Sequence, residues 1–152
     1  MLSYEGLFFD NDMVEIIHSL ETDPLELIND EIHCTFKYHP SDDEIFNEIV
    51  GKTFEIYLIS YGNDGQNSGF QILLPDDLQK YYINFDNENP GKLNYPHITA
   101  SLSEGAKAIN TKKLDFKPLE TPIKLVGKFG YWIKEENGEY LSYEAYEKNK
   151  SK

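Results

Sequence analysis

The sequence predicts an α+β fold with mostly antiparallel strand pairing, on three observations. Runs such as IHCTFKY and KTFEIYLISYG are rich in β-branched and aromatic residues and alternate as half-buried strands do. Two early segments carry apolar residues at helical spacing. Later strands are joined by Gly- and Asn-containing turns, the short connections that antiparallel neighbours use.

In chain order, YEGLFF reads as a short strand. DNDMVEIIHSLE places Met13, Ile16, Ile17 and Leu20 along one side of a helix, with Asp12 and Glu15 as its start signal. His18 falls away from that stripe and is expected in solvent. ETDPLELINDE is a polar connection, and IHCTFKY a strand that Pro40 stops. Ser41 and Glu44 form a capping box for a second helix, buried through Ile45, Phe46, Ile49 and Val50 and ended by Gly51. KTFEIYLISYG is the clearest long strand. NDGQNSG turns it into FQILLP, as a hairpin loop or a lid. DDLQKYYINF reads as a short helix or an irregular segment, and DNENPGKLNY as a loop. PHITASLS is a strand and EGAKAINTK a short helix or turn. TPIKLVGKFGYWIKE is a long strand bulged at Gly127 or Gly130. ENGE then signals a hairpin into YLSYEAY. Residues 1–146 are expected to form one domain of two similar lobes, followed by a frayed tail, 147–152.

The 152 residues suit one domain, and the single cysteine, Cys34, allows no internal disulfide. No apolar run approaches the ~20 residues of a membrane span, and the amino terminus lacks the basic flank of a signal peptide. A soluble, cytoplasmic protein with no membrane partner is expected. The formal net charge is −13 and arginine is absent. Long nucleic acids are held mainly by lysine and arginine neutralising phosphates, so a long-duplex binder is not expected. A phosphate-bearing ligand should be small, or held locally against the overall field.

EIHCTFKY and YPHITASL each write His-x-Thr inside a strand. Alternation puts His33 and Thr35 on one face and Cys34 and Phe36 on the other; His97 and Thr99 likewise oppose Ile98 and Ala100. The apolar face can lie on a core while the His/Thr face lines a cleft. If the two pairs face each other, one imidazole can take a proton while the other gives one. Threonine hydroxyls can donate to phosphoryl oxygens and stabilise charge that grows there in the transition state. In-line displacement at phosphorus needs such a base and acid on opposite sides, and two histidines supply them without a metal.

HCTF and HITA resemble the paired His-x-Thr/Ser-x signatures of the 2H (two-histidine) phosphoesterase superfamily. It includes bacterial RNA 2′-5′ ligase/cyclic phosphodiesterases, plant ADP-ribose cyclic phosphodiesterases and the phosphodiesterase domain of fungal tRNA ligases. Viral enzymes that degrade cyclic-nucleotide messengers of antiviral immunity also belong to it. The element order resembles the family's across nearly the whole chain, and HITASLSEGAKAINT is especially like the tRNA-ligase group. The resemblance implies a bilobed α+β fold, with two mainly antiparallel sheets facing a central groove and helices outside. It implies that His33 and His97 are general base and acid, in an order the sequence leaves open, and that Thr35 and Thr99 hold the non-bridging oxygens. The implied activity is a cofactor-free, metal-independent hydrolase of a small phosphodiester, either a cyclic oligonucleotide or a 2′,3′-cyclic phosphate such as an RNA 3′ end. That places the chain in RNA repair or in immune evasion. Ala100 is smaller than the aliphatic residue that members often carry, and the missing arginine counts against long RNA.

Lys37 and His39 continue the His33 face by alternation and are candidate phosphate or base contacts. Ser101 and Ser103 continue the Thr99 face and would extend a polar floor. Tyr4, Tyr38, Tyr61 and Tyr95 border the expected groove as candidate base-stacking residues, with Tyr4 favoured. A zinc site of His33, Cys34 and His97 would need both faces of one strand. Two other function classes stay open: a catalytically idle 2H-like module that binds a nucleotide or protein, and an acidic DNA mimic.

Overall fold

The computed structural model describes residues 2–29, 32–38, 48–82, 96–134 and 140–141. In chain order these form β1 (Leu2–Phe8), α1 (Asn11–Leu20), β2 (Leu27–Ile28), β3 (His33–Tyr38), β4 (Thr53–Asn63), β5 (Asn67–Leu73) and α2 (Asp76–Gln79). There follow β6 (His97–Leu102), a 3-10 helix (Ala108–Lys113), β7 (Lys117–Lys134) and β8 (Tyr140–Leu141). The fold is α+β, and its strand pairs are antiparallel, as expected.

Two sheets were expected, but the ladders run through one, in the order β2-β6-β5-β4-β7-β1-β3, with β8 paired to β7. The cause is the length of β7, 18 residues. Its stretch from Lys117 to Lys128 pairs with β4, and from Lys128 to Ile133 it pairs with β1. One strand thereby joins a β1–β3 half to a β4–β5–β6 half. The expected bulge at Gly127 or Gly130 does not occur, since the register passes both glycines without a shift. The irregularities lie at Leu58/Ser60 of β4 and at Leu2/Tyr4 of β1.

Alternation puts Leu7, Cys34, Phe36, Ile56, Leu58, Phe70, Ile72, Ile98, Ala100, Leu125 and Phe129 into one buried cluster that both halves share. Phe36 meets Phe129 edge to face at 5.3 Å and Tyr82 at 5.5 Å, a geometry that suits the ring quadrupoles.

Helix α1 is capped by Asp10, whose side chain accepts from the Met13 amide at 3.0 Å, so it starts before the predicted Asp12 signal. Its buried residues are Val14 and Ile17, while Ile16 faces solvent. His18, expected in solvent, is half-buried with Nε2 2.7 Å from the Asn29 carbonyl. A carbonyl only accepts, so Nε2 carries the proton. The polar connection after α1 contains a strand that the sequence did not signal, β2, paired with β6. The NDG turn is a tight hairpin: Asp64 Oδ1 accepts from the amides of Asn67 and Gln66, which hold its carboxyl below the usual range. The 3-10 helix falls where a short helix or turn was expected. Lys134–Tyr140 and Ile133–Leu141 pair as the ENGE hairpin requires. Most of the predicted second helix, with His39, lies outside the described residues, as do Tyr95 and the tail; Ile49 at the helix end is buried. Among the described residues no helix is long and apolar enough to cross a membrane.

Candidate functional site

The two His-x-Thr strands sit in matching frameworks. In the first half Phe8 pairs with His33, Leu7 with Cys34, Gly6 with Thr35, Glu5 with Lys37 and Tyr4 with Tyr38. In the second half Gln71 pairs with His97, Phe70 with Ile98, Gly69 with Thr99, Ser68 with Ser101 and Asn67 with Leu102. The pairing repeats step for step, including one extra residue on the motif strand just past each threonine, Phe36 in one case and Ala100 in the other. The third strands match too, with Gly130 beside Gly6 and Gly62 beside Gly69. Each half thus reads glycine strand, helix, motif strand: β1, α1, β3 and β5, α2, β6.

Gly6 and Gly69 are what allow this geometry. A Cβ on Gly6 would stand 2.0 Å from the Cys34 carbonyl oxygen, and one on Gly69 would stand 2.2 Å from the Ile98 carbonyl oxygen. In each half the glycine strand lies flush against the carbonyl that precedes the motif threonine. No other residue permits so close an approach of two backbones.

The extra residue overturns the simple alternation expected past each threonine, because a one-residue slip sends the following side chain to the other face. Ser101 pairs with Ser68 rather than continuing the Thr99 face. It is fully buried, with its Oγ 2.6 Å from Ser68 Oγ and accepting from the Leu25 amide at 3.0 Å. It is a structural tie and not the polar floor that was expected. The same slip pairs Lys37 with Glu5 and Tyr38 with Tyr4, so Tyr38, and not Lys37 as alternation gave, shares the register row of Tyr4.

The chain between α1 and β3 lies along β6, the second motif strand. Leu25 reaches Ser101, the Asn29 amide donates to the Ala100 carbonyl at 3.0 Å, and Asn29 Nδ2 donates to the Thr99 carbonyl at 2.8 Å. Strands β3 and β6 also touch. His33 and His97 are the first residues of these two strands, and both are half-exposed.

Tyr4 stacks on His33, with ring centroids 4.4 Å apart at 22° and the hydroxyl 3.3 Å from Nδ1. Phe8 lies beside both rings, 5.9 Å from Tyr4 and 6.1 Å from His33. Thr35 is half-buried opposite Gly6. Thr99 is 8 % exposed, and its hydroxyl is 2.8 Å from that of Thr111. Tyr61 pairs with Phe70, its ring 4.8 Å away, and donates to Glu21 Oε2 at 2.6 Å. Burial, with the neighbouring Glu21 carboxylate, pushes its hydroxyl up to about 12.

Cys34 is fully buried on the core face, away from His33. Burial pushes its thiol up to about 12, against a smaller opposing pull from the His97 backbone. It is neither a nucleophile nor a ready metal ligand, because both roles need thiolate. Native protein is expected to leave Cys34 unmodified by Ellman's reagent and to react once it is unfolded in guanidinium; rapid labelling of folded protein would contradict this burial. Among the described residues no three His, Cys, Asp or Glu side chains gather as metal ligands.

Sequence reading missed the flanks of the two histidines. Register sets Gln71 beside His97, with Ser60 Oγ donating to Gln71 Oε1 at 2.6 Å, and Phe8 beside His33, with Lys128 on the far side of Phe8 in the same row. It also missed Asn67 and Thr111 behind Thr99. The available signal was the repeated glycine-apolar start of GLFF and GFQI, each ahead of its motif. Each framework carries one imidazole, a group able to exchange protons, and one threonine hydroxyl, a group able to donate to an anion. Compared with known proteins, the chain matches no family model and no curated protein.

Proposed function

We propose that the protein is a cytoplasmic, metal-independent 2H-type phosphodiesterase, with its two half-sheets facing each other across a groove that holds a small nucleotide. The observation that carries this reading is the step-for-step match of the two motif frameworks, each of which opens its motif strand on a histidine. A duplicated framework that carries an equivalent histidine in each half is suited to work on opposite sides of one phosphorus.

With a nucleoside 2′,3′-cyclic phosphate, one imidazole takes a proton from water as the water oxygen bonds to phosphorus. The bond to one ribose oxygen breaks, and the other imidazole gives that oxygen its proton, leaving a phosphomonoester. With a 3′-5′ link in a cyclic oligonucleotide, the neighbouring 2′-hydroxyl attacks instead, yielding a 2′,3′-cyclic phosphate and a free 5′-hydroxyl. Thr35 and Thr99 donate to the non-bridging oxygens. Lys128, exposed in the His33 row, offers a cation to a phosphate in a chain without arginine. The test is incubation with EDTA and a panel of cyclic di- and trinucleotides, cyclic mononucleotides and RNA ends bearing 2′,3′-cyclic phosphate, with products identified by mass. Turnover of a small member is expected, and no turnover of any would sink the reading.

In this reading Tyr4 holds His33 in place. Tyr4→Ala is expected to lower kcat about threefold to tenfold with little change in KM, the worth of one aromatic pair, and Tyr4→Phe to stay near wild type. A rise in KM alone would instead make Tyr4 a base-stacking residue. The second reading, a nucleotide-binding module without turnover, draws on the near-closure of Thr99. Binding of a cyclic nucleotide that stays intact under excess protein would favour it.

A further inference from the structure

We infer that Thr111, fixed by Asn67, is a positioning residue that aims the Thr99 hydroxyl proton at the substrate's phosphoryl oxygen. This rests on the phosphodiesterase reading and deepens it. Asn67 and Thr111 are fully or almost fully buried, and neither belongs to a His-x-Thr motif.

The directions of the hydrogen bonds follow from which atoms can donate. Asn67 Nδ2 is 2.8 Å from the Lys107 carbonyl, which can only accept, so that atom is the amide nitrogen and not the oxygen. Its second proton points to Thr111 Oγ1 at 3.1 Å. Thr111 Oγ1 accepts there, and its own proton has Thr99 Oγ1 within reach at 2.8 Å. A chain running from Asn67 through Thr111 to Thr99 leaves the Thr99 proton for an acceptor outside the network. Each donor in such a chain polarises the next, and in a buried setting the effect is larger than in water. Thr99 keeps 8 % of its surface open, enough for one such contact.

The framework explains why this support exists on one side. Asn67 occupies in the second half the register position that Tyr4 occupies in the first. Tyr4 supports its motif through the histidine, and Asn67 supports its motif through the threonine. The 3-10 helix brings Thr111 over Gly69, where a Cβ would stand 2.6 Å from Thr111 Cγ2, so the bare glycine seats the positioning residue.

The test is steady-state kinetics on the panel member that wild type turns over, with Thr111→Val, Thr111→Ser, Thr99→Val and the Thr99→Val/Thr111→Val double variant, each with a thermal melt. Thr111→Val is expected to lower kcat about tenfold with KM little changed, since it loosens an oxyanion donor whose outright removal costs more. Thr111→Ser, which keeps the hydroxyl, should recover most of the rate. The double variant should be no slower than Thr99→Val alone, because the two residues act as one unit. Should Thr111→Val lower only the melting temperature, or the two losses multiply, the positioning role is overturned while the enzyme reading stands. Wild type inert toward the whole panel removes both.

Discussion

His33→Ala and His97→Ala are each expected to lower kcat/KM by at least about a hundredfold, the usual worth of a positioned acid or base. The double variant should be little slower than either single one, because a base and an acid that serve one displacement fail together. The folded state should persist in both. Each ring is half-exposed, at the start of a strand whose backbone pairing does not involve it. Circular dichroism and a thermal melt beside the kinetics separate lost chemistry from lost structure. Wild-type rates in either folded variant would remove the mechanism.

Gly6→Ala and Gly69→Ala are the substitutions expected to damage the fold most. Each new methyl would stand about as far from a backbone carbonyl oxygen as a bonded neighbour's neighbour, at 2.0 Å and 2.2 Å. A carbonyl in a sheet cannot swing aside as a side chain can. The strand pair must part or slip, at a cost of about 3 kcal/mol, the upper end for overpacking. Gly127→Ala is the control, because its Cβ would meet the Phe9 ring at 3.2 Å, a neighbour able to shift. Denaturant unfolding should rank Gly6→Ala and Gly69→Ala well below Gly127→Ala. Equal stabilities for the three would mean that β1 and β5 are not pressed against β3 and β6 as described.

The strands were legible because their alternation matches the face they bury, as buried Ile56 and Leu58 against exposed Tyr57 illustrate. The hairpins were legible from their Asn-Gly and Asp-Gly turns. What failed did so at long range. Nothing local says that β7 is long enough to pair with β4 and then β1, so two sheets were expected where the ladders form one. Strand β2 is two residues whose partner, β6, lies far along the chain. The bulges past Thr35 and Thr99 depend on glycines in other strands, so alternation misplaced Ser101 and the row of Tyr38. At the site, the two histidines, the two threonines and Tyr4 were named from the sequence. Gln71, Lys128 and Asn67 come to the motifs only through register and Thr111 only through the 3-10 helix, and no spacing in the sequence marks them.

The claim on which the account turns is that both histidines serve one ligand. Imidazole NMR signals, assigned with His33→Ala, His97→Ala and His18→Ala, can be followed while a nucleoside 2′-monophosphate, the product class of the cyclic phosphate reaction, is titrated in. The account predicts that the His33 and His97 signals shift together along one saturation curve, while His18, on α1 and bonded to the Asn29 carbonyl, stays in place. Shifts at only one of the pair, or two curves with separate midpoints, would contradict a shared site.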